Sequence, residues 1–87
     1  MSQFKPRDNS LQQLYVNIMQ RAIDDLTILR EETGDDVQLA TGKDQPYADE
    51  LRLLWIDINR EIAALLKRQQ QITSDYGVTP PRRRGDQ

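Results

Sequence analysis

A heptad pattern in the second half of the chain limits what this sequence can fold into more than any other feature. Nine positions alternate at spacings of three and four residues: Ala48, Leu51, Trp55, Ile58, Ile62, Leu65, Gln69, Ile72 and Tyr76. This spacing is typical of helices that pack as coiled coils. Pro46 suits the start of a helix and Gly77 suits its end. We therefore predict a helix over residues 46–76, about 45 Å long at 1.5 Å per residue.

A second amphipathic pattern precedes this helix. Its apolar residues again recur at spacings of three and four: Leu11, Tyr15, Ile18, Ala22, Leu26 and Leu29, with Leu14, Met19 and Ile23 widening the stripe. Ser10 and Gln13 have the spacing of a capping box, and Gly34 can adopt the left-handed conformation that ends a helix. These signals predict a first helix over residues 11–33, with Gln20 on its polar face.

Together the two patterns predict an all-α fold, an antiparallel two-helix hairpin with a coiled-coil-like second helix. The hairpin covers residues 10–76, after a disordered leader (1–9) and before an extended basic tail (77–87). The connector is acidic, and Val37 and Leu39 alternate with polar residues, which allows a short extended piece there. A first helix of about 35 Å is too short to cover the second, so one end of the heptad stripe is expected to stay uncovered.

Composition favours self-assembly. The chain has 87 residues, of which 37% are hydrophobic, and it has no cysteine for disulfides or for a cysteine zinc site. A core this small is marginal, so a homo-oligomeric bundle or ring is the expected source of further stability. The predicted oligomer interface is Leu51, Trp55, Ile58, Ile62, Leu65 and Ile72. Trp55 is its best anchor, since tryptophan is common among interface hot spots, although plain core packing is the alternative.

Gln69 occupies a heptad position where an apolar residue is expected. One polar residue in such a stripe can set the register or the oligomeric state. The alternative is that the stripe frays into solvent near the end of the helix. The sequence alone does not choose between the two.

Nothing in the sequence predicts catalysis. Histidine and cysteine are both absent, which excludes imidazole-based acid–base work and the usual nucleophilic triads. Gly42-Lys43 lacks the rest of a phosphate-binding loop. Acids near Asp35 and Asp44 could bind a divalent cation only loosely, because they lack the spacing of a calcium loop. We predict a protein that is not an enzyme and has no cofactor or metal.

The basic tail carries the predicted binding site for a partner or for nucleic acid. Arg82, Arg83 and Arg84 follow two prolines and can grip phosphate or carboxylate groups. Three arginines would bind DNA weakly and with strong salt dependence, unless copies in a ring multiplied the effect. A merely solubilising tail is the alternative.

The second half of the chain resembles the C-terminal half of the small terminase subunits of tailed phages. The resemblance covers residues 45–84. It is carried by the run from Ala48 to Arg52 that opens a long helix, and by the end of that helix, Tyr76-Gly77-Val78-Thr79-Pro80-Pro81-Arg82-Arg83. The Gly77–Pro81 stretch is its most specific element.

The resemblance implies a non-catalytic, ring-forming adaptor in phage DNA packaging, whose C-terminal segment docks a large ATPase–nuclease subunit. Only a short segment precedes the first helix, where the family often has a helix-turn-helix, so direct DNA binding is expected to be weak. The alternative is a generic helical interaction module or antitoxin-like regulatory subunit with no DNA role. No apolar run approaches the roughly 20 residues that span a membrane, so a cytoplasmic protein, in the host cell if viral, is expected.

Overall fold

The structure is a computed structural model that describes residues 8–82, and within them the chain forms two α-helices joined by a four-residue turn. Helix α1 is Ser10–Ala40 and helix α2 is Gln45–Tyr76. The helices pack against each other in antiparallel fashion. Gln20 meets Gln69 towards the end where α1 begins and α2 ends, and Gly34 lies beside Trp55 towards the turn. The predicted all-α hairpin is confirmed.

Local signals place α2 correctly to within one residue. The carboxylate of Asp44 accepts a hydrogen bond from the backbone N–H of Tyr47 (3.3 Å), and Pro46 follows in the first turn, where its missing N–H is harmless. At the other end Gly77 has φ 69°, and its N–H donates to the Thr73 carbonyl at 2.9 Å. Glycine reaches this left-handed conformation without strain, which ends the helix.

The predicted end of α1 is wrong. Gly34 lies inside the helix without a positive φ, and α1 continues to Ala40. The indole ring of Trp55 lies beside Gly34, about one Cβ contact away, and the flanking Thr33 is only 5% exposed. Packing against α2 therefore outweighs the preference of glycine for a helix end, about 1 kcal/mol relative to alanine.

The longer α1 changes the geometry of the hairpin. The two helices have 31 and 32 residues, so the expectation that one end of α2 stays uncovered is wrong. Val37 and Leu39 are helical rather than extended, and the connector shrinks to residues 41–44, where Gly42 has φ 82°. Surface left over by the hairpin must therefore lie along its sides.

The predicted capping box is also absent. Asn9 precedes the helix, and Ser10 is its first residue. The hydroxyl and backbone N–H of Ser10 both donate to Asp8 (2.7 and 3.2 Å), and these bonds hold the pKa of the exposed Asp8 carboxyl below its usual value. Gln13 does not cap the helix, because its side-chain amide donates to the Thr79 carbonyl in the segment after α2.

We expect Gly34→Ala to stabilise the hairpin by roughly 0.5–1 kcal/mol, the helix-propensity difference between the two residues. A Cβ atom at this position would lie 3.5 Å from Nε1 of Trp55, an ordinary van der Waals contact. Urea unfolding followed by circular dichroism measures the change. Gly34→Leu is the control, since its longer side chain must displace the indole and lower the midpoint. A lower midpoint for the alanine variant would contradict the packing described.

Candidate interaction surfaces

Three isoleucines form the centre of the hairpin. Ile23, Ile58 and Ile62 are only 4–6% exposed. Leu26, Leu65 and Leu66 pack around them. Burial of one such side chain is worth about 1.5–3 kcal/mol, so this cluster supplies much of the stability of the single chain.

The structure separates the six residues predicted for the oligomer interface into two groups. Ile58 and Ile62 are already covered by α1 of the same chain. Trp55 is 40% exposed. Leu51, Leu65 and Ile72 are half-buried at the edges of the core. In the intact hairpin, only the edge residues and Trp55 are open to another copy.

Gln69 is buried and hydrogen-bonded inside the hairpin. Gln20 and Gln69 are each 2% exposed. Nε2 of Gln69 donates to Oε1 of Gln20 (3.1 Å) and to the Val16 carbonyl (3.3 Å), while Nε2 of Gln20 donates to Asp24 (3.0 Å). The alternative that the stripe frays at Gln69 is wrong, and so is the placing of Gln20 on the polar face. The pair is polar and buried, so it favours one register of the two helices.

One side of the hairpin remains apolar and uncovered, and we call it the apolar side. It consists of Leu11, Leu14, Tyr15, Ile18 and Leu29 from α1, with Leu54, Leu65, Ile72 and Tyr76 from α2. At about 100° per residue, Tyr15 is rotated some 80° around the axis of α1 from Ile23. Ile72 is rotated by the same angle and in the same sense around the axis of α2 from Ile62. Both turn to the same flank, since Tyr15 and Ile72 line one open groove of about 520 Å³. Most of the apolar stripe predicted for α1 thus faces this flank rather than α2.

A second groove lies on the opposite flank, nearer the turn, and we call it the Trp55 groove. It has a volume of about 500 Å³ and is lined by Trp55, Gly34, Val37, Arg30 and Arg52 among others. Arg30 donates to Asn59 (3.3 Å) and Arg52 pairs with Asp49 (3.2 Å), so both guanidinium groups are held at its rim. An exposed indole between two ordered arginines is suited to contact another protein.

The segment after α2 is tied to the start of α1. Nε2 of Gln13 donates to the Thr79 carbonyl (2.7 Å), and the Thr79 N–H donates back to Oε1 of Gln13 (3.4 Å). Nδ2 of Asn9 donates to the Tyr76 carbonyl (2.6 Å). Residues 77–82 have no helix or strand, but these bonds fix where the tail leaves the hairpin.

Of the three arginines predicted to bind a partner, Arg82 is exposed, and Arg83 and Arg84 lie outside the described residues. Across residues 8–82, no three acidic side chains come close enough together to hold a metal ion. Neither helix has a stretch that is long and apolar enough to cross a membrane.

Sequence reasoning missed the role of two glutamines that hold parts of the hairpin together. Gln13 was assigned to a cap and Gln20 to the solvent-exposed face. The sequence pattern does not distinguish a glutamine that is buried and hydrogen-bonded from one that is exposed. The shared apolar side of α1 and α2 could have been found from the seven-residue spacing of Leu11 and Ile18, and of Leu65 and Ile72. Comparison with family models, curated proteins and solved structures finds no match to this chain.

Proposed function

We propose that this chain is a non-catalytic, homo-oligomeric adaptor in phage DNA packaging, similar to a small terminase subunit and acting in the host cytoplasm. The observation that carries the proposal is a hairpin with uncovered apolar surface along its side and a basic tail tied to one end. Such a chain has the parts to assemble with copies of itself and to present its C-terminal segment to another protein.

The two flanks of the hairpin support assembly into a closed ring. The apolar side and the Trp55 groove lie on opposite flanks, so one copy can contact two neighbours at once. Two contacts per copy are what a closed assembly needs, whereas a single surface stops at a dimer. Trp55 is the residue in the second contact whose truncation should weaken assembly most.

The tail supports a docking role. Gln13 holds Thr79, so the chain beyond it starts from a defined point beside the N-terminal end of α1. Pro80 and Pro81 prevent helix continuation, and the exposed Arg82 follows directly. In a ring, the tails of all copies would emerge at equivalent positions, where arginines can bind carboxylates of the large subunit or DNA phosphates with combined strength.

Deletion of residues 80–87 tests this function. We expect the truncated chain to keep its helicity and its oligomer size, because the deletion spares Thr79 and both helices. Binding to the large subunit or to DNA should fall at least tenfold, and binding of the intact chain should weaken between about 50 and 200 mM salt. Native mass spectrometry gives the copy number, and surface plasmon resonance gives the affinity.

The outcomes separate the alternatives. A closed assembly of about eight or more copies supports the packaging adaptor, whereas a dimer or tetramer with no tail-dependent binding supports the generic helical module. The triple variant Arg82→Gln, Arg83→Gln and Arg84→Gln is the matched control, since it removes the three charges but keeps the tail at its full length. If this variant binds as tightly as the intact chain, the arginines are only solubilising and the docking proposal fails.

A further inference from the structure

We propose that a second copy of this chain covers the apolar side through a two-fold contact, in which each helix packs antiparallel against its own counterpart. The result is a four-helix bundle with α1 on α1 and α2 on α2. This inference rests on the self-association in the proposed function and names the face and the orientation that it uses. The pairs formed in this way can then join through the Trp55 groove, on the opposite flank, into the closed assembly.

The exposed area is large enough for such a contact. Seven apolar side chains on this side are 42–76% exposed: Leu11, Leu14, Tyr15, Ile18, Leu29, Leu54 and Tyr76. Together they leave on the order of 600 Å² uncovered, at the upper end of the largest patch on a typical monomer. A standard interface buries roughly 800 Å² per partner. With its polar rim included, this side reaches that size.

Three contacts define which residues of α1 and α2 are level with each other along the hairpin. Gln20 meets Gln69, Arg30 meets Asn59, and Gly34 lies against Trp55. In these three pairs the two residue numbers add to the same total, so the register is constant between Gln20 and Gly34 of α1. By this register Arg21 is level with Arg68.

Charged residues form two bands at the border of the middle of the apolar side, and Asp75 is a further acid nearer the end of α2. Arg68, which lines the groove, and Arg21, seven residues after Leu14, make a basic band. Asp25 and Glu61 lie one to two helical turns nearer the connecting turn and make an acidic band. They belong to this side because Asp25 is seven residues after Ile18 and Glu61 is seven residues after Leu54, a spacing that returns to the same face of a helix. All four side chains are exposed, and none belongs to an ion pair within residues 8–82. The charges that border this side are thus open to a second molecule.

The bands select one of two face-to-face arrangements. A two-fold axis parallel to the helices leaves the position of each residue along the helix axis unchanged. It therefore places Arg21 of one copy over Arg68 of the other. An axis perpendicular to the helices reverses the order of residues along the helix axis, so that each helix runs antiparallel to its counterpart. It brings Arg21 opposite Asp25 of the second copy, and Arg68 opposite Glu61.

Both pairs in the second arrangement require nearly the same axis. The midpoint of Arg21 and Asp25 lies at residue 23 of α1. The midpoint of Arg68 and Glu61 is level with residue 24 or 25 of α1, about 2 Å away at 1.5 Å per residue. The same axis brings Ile18 of one copy near Leu29 of the other. Charge and apolar contact thus agree on the antiparallel arrangement.

A charge swap across α2 tests the proposal. Sedimentation velocity of the full chain at about 50 mM salt gives the dimer dissociation constant. Arg68→Glu and Glu61→Arg should each raise this constant about tenfold, because each creates two like-charge contacts in the symmetric dimer. The variant with both changes should return to within about threefold of the original, since the pairs are restored with reversed sign. Lys67→Glu, an equal charge change on the outer face of α2, should have little effect.

Several results would overturn the inference. If Arg68→Glu tightens association, the two-fold axis is parallel to the helices and Arg21 of one copy faces position 68 of the other. If the chain associates but neither single change nor Ile18→Asn weakens it, another surface is used, and the adaptor function stands without this dimer. A folded monomer at about 100 μM would remove both proposals. If the dimer behaves as expected but the tail deletion has no effect on partner binding, the dimer stands and the adaptor function fails.

Discussion

Replacement of Ile62 by alanine is expected to leave the chain largely unfolded in dilute solution. Ile62 is 6% exposed and packs with Ile23 and Ile58, so the change creates a cavity at the centre of the only core in the described hairpin. Such substitutions cost about 2–5 kcal/mol. A domain of this size rarely has more than about 3–5 kcal/mol of stability in total. Circular dichroism at low micromolar concentration should show loss of most of the helical signal.

Ile56 provides the matched control. It is the same residue type on the same helix, but it is 38% exposed. Ile56→Ala should lower the free energy of unfolding by less than about 1 kcal/mol, since little buried surface is lost. If the two variants unfold at the same urea concentration, the core does not lie where the structure places it.

Gln69→Leu is expected to destabilise the hairpin by about 1–3 kcal/mol, although it replaces an amide with a more apolar side chain. The substitution leaves the buried Oε1 of Gln20 without its donor at 3.1 Å. A buried acceptor that loses its partner retains the full cost of leaving water. Urea unfolding of the single variant measures this loss, and Gln70→Leu on the exposed neighbour should have little effect.

The double variant Gln20→Leu with Gln69→Leu should recover most or all of the stability, because no buried polar atom is then left without a partner. Its helices should slide more easily, since apolar side chains do not distinguish one register from the next as the amide pair does. Disulfide trapping between cysteines placed at residues 30 and 59, and at 30 and 55, reports the register. If Gln69→Leu alone is as stable as the original chain, the amide pair has no structural role.

The boundaries of α2 could be read from the sequence because each depends on a nearby residue. Asp44 and Pro46 satisfy or remove the free N–H groups at its start, and Gly77 provides the left-handed residue at its end. These effects act within one turn, so no knowledge of the other helix is needed. The same was not true of α1. Gly34 carries the local signal of a helix end, but Trp55, 21 residues away, packs against it and keeps the helix intact.

The candidate surfaces were only partly accessible from sequence. The heptad positions of α2 correctly identified an apolar stripe, but they could not say which part is covered within the chain and which is left for another copy. Ile58 and Ile62 went to the core, while Trp55 stayed 40% exposed. The tail was predicted to be extended, yet its attachment through Gln13 needed the antiparallel fold to bring Thr79 beside α1.

Local signals were enough to predict two amphipathic helices folded into a hairpin, because periodicity, prolines and glycines act within a few residues. The flank on which each helix meets the other depended on how the two helices pack. Periodicity shows that an apolar stripe exists, but the direction it faces depends on how two helices pack together. The contact of Ile23 with Ile58 and Ile62 and the hydrogen bond between Gln20 and Gln69 selected one rotation of α1. That rotation turned Leu11, Tyr15 and Ile18 to the side, where the hairpin leaves them uncovered.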